Sequence, residues 1–152
     1  MPKGLSTSDV DKGAKRIRKD MNKLDSAYVT VGVHEGAGAY PSGVPVATVA
    51  FWNEFGTRSA PARPFFRSAI DEKINDIISY IDEMRAEIIN GKCTPKHALE
   101  KIGFYVQEII KAKILSNVPP PNAPGTLARK AGTKTLVDSR LLLRSIAFEV
   151  HE

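Results

Sequence analysis

The chain has 152 residues, 42% of them apolar and 26% charged, with 22 basic against 17 acidic side chains and a formal charge of +5. That length and balance describe one domain able to bury a core without metal or disulfide staples, and they exclude fibrous and wholly disordered classes. A lone cysteine, Cys93, excludes an internal disulfide, and no run of 18 apolar residues occurs, which excludes a membrane-spanning helix. The opening MPKGLSTSDVDKG lacks the apolar stretch of a signal peptide, so a soluble protein made in the cytosol is expected.

Between Asp9 and Leu24, the residues Val10, Ala14, Ile17, Met21 and Leu24 recur at steps of four and three, the one-face spacing of an amphipathic helix. Lys12, Lys15, Arg16, Lys19 and Lys23 fall on its other side, either as a solvated surface or as a docking face for an acidic partner. The run AYVTVGV, residues 27–33, alternates Val29, Val31 and Val33 with Thr30 and Gly32 and predicts a half-buried strand. HEGAGAYPSG, residues 34–43, carries the glycine and proline of a connecting loop. PVATVAFWNEFG, residues 45–56, reads as a short helix stopped where Gly56 takes the left-handed conformation, although its β-branched residues leave a strand open. RSAPARP, residues 58–64, has prolines that cannot donate to a sheet and is expected to be extended or at an edge.

Ile70, Ile74, Ile77, Ile81, Met84 and Ile88 then define a long helix that closes at Asn90-Gly91, with Asp71, Glu72, Asp76, Asp82, Glu83 and Glu87 making its exposed face acidic. Thr94-Pro95 supplies an N-cap and a first-position proline for a second long helix striped by Leu99, Ile102, Val106, Ile109 and Ile114. A short turn between the two makes them an antiparallel hairpin. NVPPPNAPGTLARKAGTKT, residues 117–135, is far longer than an ordinary connection of about 4–6 residues and reads as a functional loop. In VDSRLLLRSIAFEVHE, residues 137–152, a cap at Asp138-Ser139 precedes a helical turn, and a final strand places Ile146, Phe148 and Val150 on one face. The expected fold is α+β: a small antiparallel β-sheet packed against two long helices plus an N-terminal helix. It spans residues 1–152 as one domain, with an extended proline-rich loop over 118–135.

Catalytic patterns are missing from the sequence. His34, His97 and His151 have no metal-ligand spacing, GVHEGAGAYPSG lacks the order of a phosphate-cradling glycine motif, and Cys93 has only His97 nearby as a potential base. Nothing in the sequence places Glu35 and Glu54 together as a carboxylate pair. The expectation is a protein that is not an enzyme and needs neither metal nor cofactor. The densest signal is FWNEFGTRSAPARPFFRSAI, residues 51–70, where Phe51, Trp52, Phe55, Phe65 and Phe66 accompany Arg58, Arg63 and Arg67. Such residues serve as core or as subunit anchors, and both uses are expected here. The helical part should face inward, while Arg58, Ala60, Pro61 and Arg63 should face a partner.

The segment WNEFGTRSAPARPFFRSAI resembles the signature "EFGT … iPaRPFlR" of the neck and tail-completion proteins, of the minor tail protein Z type, of long-tailed double-stranded DNA bacteriophages. PPPNAPGTLARKAGTKTLVDSRLLLRSIAFEV is similar to that family's "PPNaPsTiarKG … PLiDTGqLr.SI.y.V", and AYVTVGVHEG to its opening strand and loop. The matching positions are Glu54, Phe55, Gly56, Thr57, Pro61, Ala62, Arg63, Pro64, Phe65 and Arg67, then Pro120, Pro121, Asn122, Ala123, Pro124, Thr126, Ala128, Arg129 and Lys130. Where the family favours Asp-Thr-Gly, the chain has Asp138-Ser139-Arg140, which puts a glycine-dependent turn in doubt and suggests that Arg140 extends a helix.

The resemblance implies a structural virion protein: a homo-oligomeric ring, sixfold or twelvefold, at the head-proximal end of the tail, completing it and joining it to the head connector. Its implied partners are further copies of itself and the neck, connector and tail-terminator or tube proteins, with incidental DNA contact in the channel and no membrane. It would be assembled in the host bacterial cytoplasm. The implied interface comprises Trp52, Phe55, Arg58, Pro61, Arg63, Phe65, Arg67, Pro120, Pro121, Asn122, Arg129, Lys130 and Arg140. Head-to-tail contact between the basic first helix and the acidic face of the 70–90 helix would help to order such a ring. An alternative reading is a nucleic-acid-binding module in which the basic helix and loop neutralise phosphates.

Overall fold

Two short turn signals in the sequence set the longest elements. The structure, a computed structural model that describes residues 13–128, 135–136 and 140–152, places helix α3 at Phe65–Ile89 and helix α4 at Pro95–Leu115. At the end of α3, Gly91 takes φ 72°, its N–H donates to the Ile88 carbonyl at 3.0 Å, and the Lys92 N–H reaches the Glu87 carbonyl at 2.9 Å. This is the paired closure that a left-handed glycine permits. Three residues later the Thr94 hydroxyl accepts the His97 N–H at 3.3 Å, and Pro95 opens α4 where its missing donor costs nothing. The hairpin therefore turns where the sequence predicts.

Strands β1 (Tyr28–Val33) and β2 (Ile146–His151) come from opposite ends of the chain and pair antiparallel. The register sets Val29 opposite Val150, Val31 opposite Phe148 and Val33 opposite Ile146, so one face of this two-stranded sheet is apolar throughout. That face packs on α4, whose other side meets α3. Close approach is possible because α4 carries Gly103 at the contact. A Cβ there would stand 2.6 Å from Phe148 Cδ2 and 2.7 Å from Val29 Cγ2.

Being covered on two sides changes which residues α4 buries. The spacing predicts a stripe through Leu99, Ile102, Val106, Ile109 and Ile114, but the buried line runs through Ala98, Gly103, Gln107, Ile110 and Ile114 and shares only Ile114 with it. The other predicted residues are half-buried along its margin. On α3 the predicted stripe holds at Ile77, Met84 and Ile88, whereas Ile74 and its neighbour Ile78 are exposed. The main core joins Val46, Phe65, Ala69, Ile110, Ile114, Val118, Leu136, Leu142 and Ile146. A second cluster of Met84, Ile88, Cys93 and Ala98 fills the turn end of the hairpin, with Leu24 of α1 (Ala14–Leu24) packed on it.

The remaining elements are short. Helix α2 spans Val46–Phe55, which decides for helix over strand; the short α5 (Pro124–Leu127) lies within the long loop and α6 (Leu141–Ser145) follows it. The 34–43 segment does more than connect: the Gly43 N–H closes a turn on the Tyr40 carbonyl at 2.8 Å, and Tyr40 and Ala37 pack on the core. Arg140 does not extend a helix. It precedes α6 in the left-handed conformation, φ 60° and ψ 10°, so the chain keeps the turn that a glycine would make more cheaply. The capping pair Asp138-Ser139 lies outside the described residues, as do Arg129 and Lys130. Helices with a small antiparallel sheet make the fold α+β, as expected. Among the described residues no helix is long and apolar enough to cross a membrane.

Candidate functional site

The residues 51–67 build a single bracket around Glu54. The first turn of α3 has no capping side chain of its own, since Pro64 precedes it. Glu54, on the last turn of α2, supplies the cap from outside: its carboxylate accepts the Phe66 N–H at 2.9 Å, the Arg67 N–H at 3.1 Å and the Arg67 Nε–H at 3.1 Å. An anion against the positive end of a helix, with its donors satisfied, is a favourable use of a buried carboxylate. Glu54 is therefore occupied in holding α2 to α3.

Gly56 then turns the chain back. Its φ of 79° and ψ of 175° differ from the left-handed conformation expected for it and fall in a region essentially reserved for glycine; a Cβ would lie 2.8 Å from the Ala62 nitrogen. The Thr57 hydroxyl accepts the Ala60 N–H at 3.0 Å, the Thr57 N–H donates to the Ala60 carbonyl at 2.8 Å, and the Arg63 N–H donates to the Asn53 carbonyl at 2.6 Å. Residues 56–63 are thus a closed, self-bonded loop whose exposed tip carries Arg58, Ala60 and Pro61.

Arg63 does not point out to a partner. It is 8% exposed, and its Nε–H and Nη2–H donate to the carbonyls of Pro120 and Pro121 at 2.8 and 3.1 Å. Two prolines leave carbonyls with no neighbouring N–H to pair them, and a planar guanidinium fits such a pair as a fork. The two sequence motifs, 57 residues apart, are joined by this one side chain. Between them lies a cleft of about 730 Å³ lined by Trp52, Pro61, Arg63, Pro121, Asn122 and Leu142. Asn122 is buried there, and its Nδ2 has no acceptor among the described residues.

Phe65 is likewise removed from the list of surface anchors: at 2% exposure it belongs to the core. The reverse correction applies to α2. Its aromatic residues do not face inward, because Phe51 is 59% exposed, Trp52 44% and Phe55 56%. Val46 and Glu54 take the inward side instead. Phe51 and Phe55 form a tilted pair with centroids 4.7 Å apart, and the Arg67 guanidinium lies 5.4 Å over the Phe55 ring while bonded to Glu54. The result is an ordered, outward aromatic face beside the rigid 56–63 loop, with Pro120 and Pro121 on the far side of the cleft.

Burial pushes the Cys93 thiol above its ordinary range, which disfavours the thiolate a nucleophile needs. No group of three or more His, Cys, Asp or Glu is placed to hold a metal ion. Sequence spacing gave no hint that His34 and His151 meet: both Nε2 atoms reach the Thr30 hydroxyl, at 2.9 and 3.1 Å, because β1 and β2 pair. Comparison with family models, curated proteins and solved structures returns no match to the chain.

Proposed function

We propose that the chain is a structural subunit of a long-tailed phage particle, acting at the neck and tail-completion ring by adhesion to copies of itself and to adjoining neck and tail proteins, without covalent chemistry. The observation that carries this reading is the outward face of α2. Phe51, Trp52 and Phe55 are exposed together, Phe55 packed against Phe51 and under the Arg67 guanidinium that Glu54 holds, beside a loop closed by the bonds of Gly56, Thr57 and Arg63. Large aromatics with arginine are the anchors of protein interfaces, and a preorganised surface loses little entropy on docking.

The two resembling motifs support the reading because they form one surface: Arg63 ties the first to the second. The complementary-helix idea fares less well. Glu72, Asp76, Asp82 and Glu87 on the acidic face already pair with Lys113, Lys73, Arg85 and Lys101 of the same chain. Exposed pairs of that kind contribute about 0–1 kcal/mol each, so aromatic and loop contacts carry the association in this reading. The test is complementation of particles lacking the protein. The reading expects full heads beside detached tails, rescued by the wild-type chain and not by a Phe51→Ser, Trp52→Ser, Phe55→Ser triple variant. Normal particles without the protein would overturn it.

A further inference from the structure

The basic face of α1 is not used by the adhesive surface, and the fold leaves it open. Lys15, Arg18, Lys19, Asn22 and Lys23 share one side of the helix at steps of three and four and, with Ser26, line a groove of about 620 Å³. All are exposed. Arg16 has a structural role: it donates to the Ile88 and Ile89 carbonyls at 2.9 and 2.7 Å, packs over Gly91 and bonds Asp20, so it anchors α1 to the end of α3. With the acids of α3 largely paired, Arg18, Lys19 and Lys23 have no acidic partner among the described residues.

We infer that this face docks the phosphate backbone of double-stranded DNA. Its chemistry separates that partner from others. A protein interface centres on apolar and aromatic anchors and is depleted in lysine, whereas this face is wholly polar and lysine-rich, as nucleic-acid interfaces are. A membrane surface would need the whole apolar side of α1 free, yet Ile17 and Leu24 are half-buried, Leu24 against the hairpin turn, which leaves Ala14 and Met21 exposed on that side. Single strands are held by aromatic stacking, and α1 has no aromatic residue. Lys15 to Lys23 spans about 12 Å of helix, the axial run of about three or four phosphates on one strand. That the duplex is DNA and not RNA rests on the phage reading above; the phosphate docking itself does not.

The test is fluorescence anisotropy of a labelled random-sequence DNA duplex with the full chain. Wild type should lose affinity about 40- to 150-fold between about 50 and about 200 mM salt, the dependence for three or four neutralised phosphates. Arg18→Ala, Lys19→Ala, Lys23→Ala together should flatten the log–log slope by about 3. A charge-matched control, Lys73→Ala, Arg85→Ala, Lys96→Ala, removes cations already paired in the chain and should keep the wild-type slope. Equal loss in both triples, no loss in the first, no binding by wild type at low salt, or binding to phosphatidylserine vesicles in place of DNA would each overturn the inference. Because the readout is duplex binding, a chain that never forms rings yet binds as described refutes the adhesive reading alone.

Discussion

Glu54→Gln removes one oxygen from a carboxylate that accepts three N–H groups, and sets an amide donor against the α3 backbone. A cost of about 1–3 kcal/mol is expected, read as a lower midpoint of denaturant unfolding at unchanged slope. An unshifted midpoint would mean that water replaces the cap. At this scale the sequence was only partly legible. Glycine at 56 and arginine at 63 stand out by their neighbours, but what they touch does not: Asn53, Ala62, Pro120 and Pro121 become partners only after the chain closes. Arg63 and Phe65 look like surface anchors in a string of aromatics and prolines, and burial of both is a tertiary outcome.

Elements were more legible where a local rule decides them. Asn90-Gly91 and Thr94-Pro95 fix the hairpin by backbone chemistry alone, while the buried line of α4 depends on a helix and a sheet covering it from two sides. That double packing makes Gly103→Ala a sharp probe. Alanine gains about 1 kcal/mol of helix propensity but forces a methyl into Phe148 and Val29, a clash of about 1–3 kcal/mol, so net destabilisation is expected in thermal melts. A raised melting temperature would show that the sheet can retreat. Salt links within α3 and between elements give a pH signature. Hydrogen bonds to Glu87, Asp76 and Glu152 raise Lys101, Lys73 and Lys96 above the ordinary 10.5. The folded state thus binds these protons more tightly than the unfolded chain, so their contribution is complete below 10.5 and is lost as pH rises through the raised values. Lys101→Met should weaken the alkaline decline in stability, and an identical decline in the variant would contradict this.

For the molecule as a whole, burial is divided unevenly. The hairpin, the sheet and the inner side of α2 supply most of the buried core, while the aromatic outer side of α2 stays uncovered beside a braced loop. An ordered apolar face of this kind, rimmed by Arg58 and Arg67, is better suited to a partner than to solvent. The most direct measurement is sedimentation velocity of the purified chain over a wide concentration range, alone and as the Phe51→Ser, Trp52→Ser, Phe55→Ser triple. The account predicts mass action toward closed oligomers for the wild type and a monomer at all concentrations for a triple variant that keeps its helical content. A wild type that stays monomeric at the highest concentrations, or a triple that assembles equally well, would contradict it.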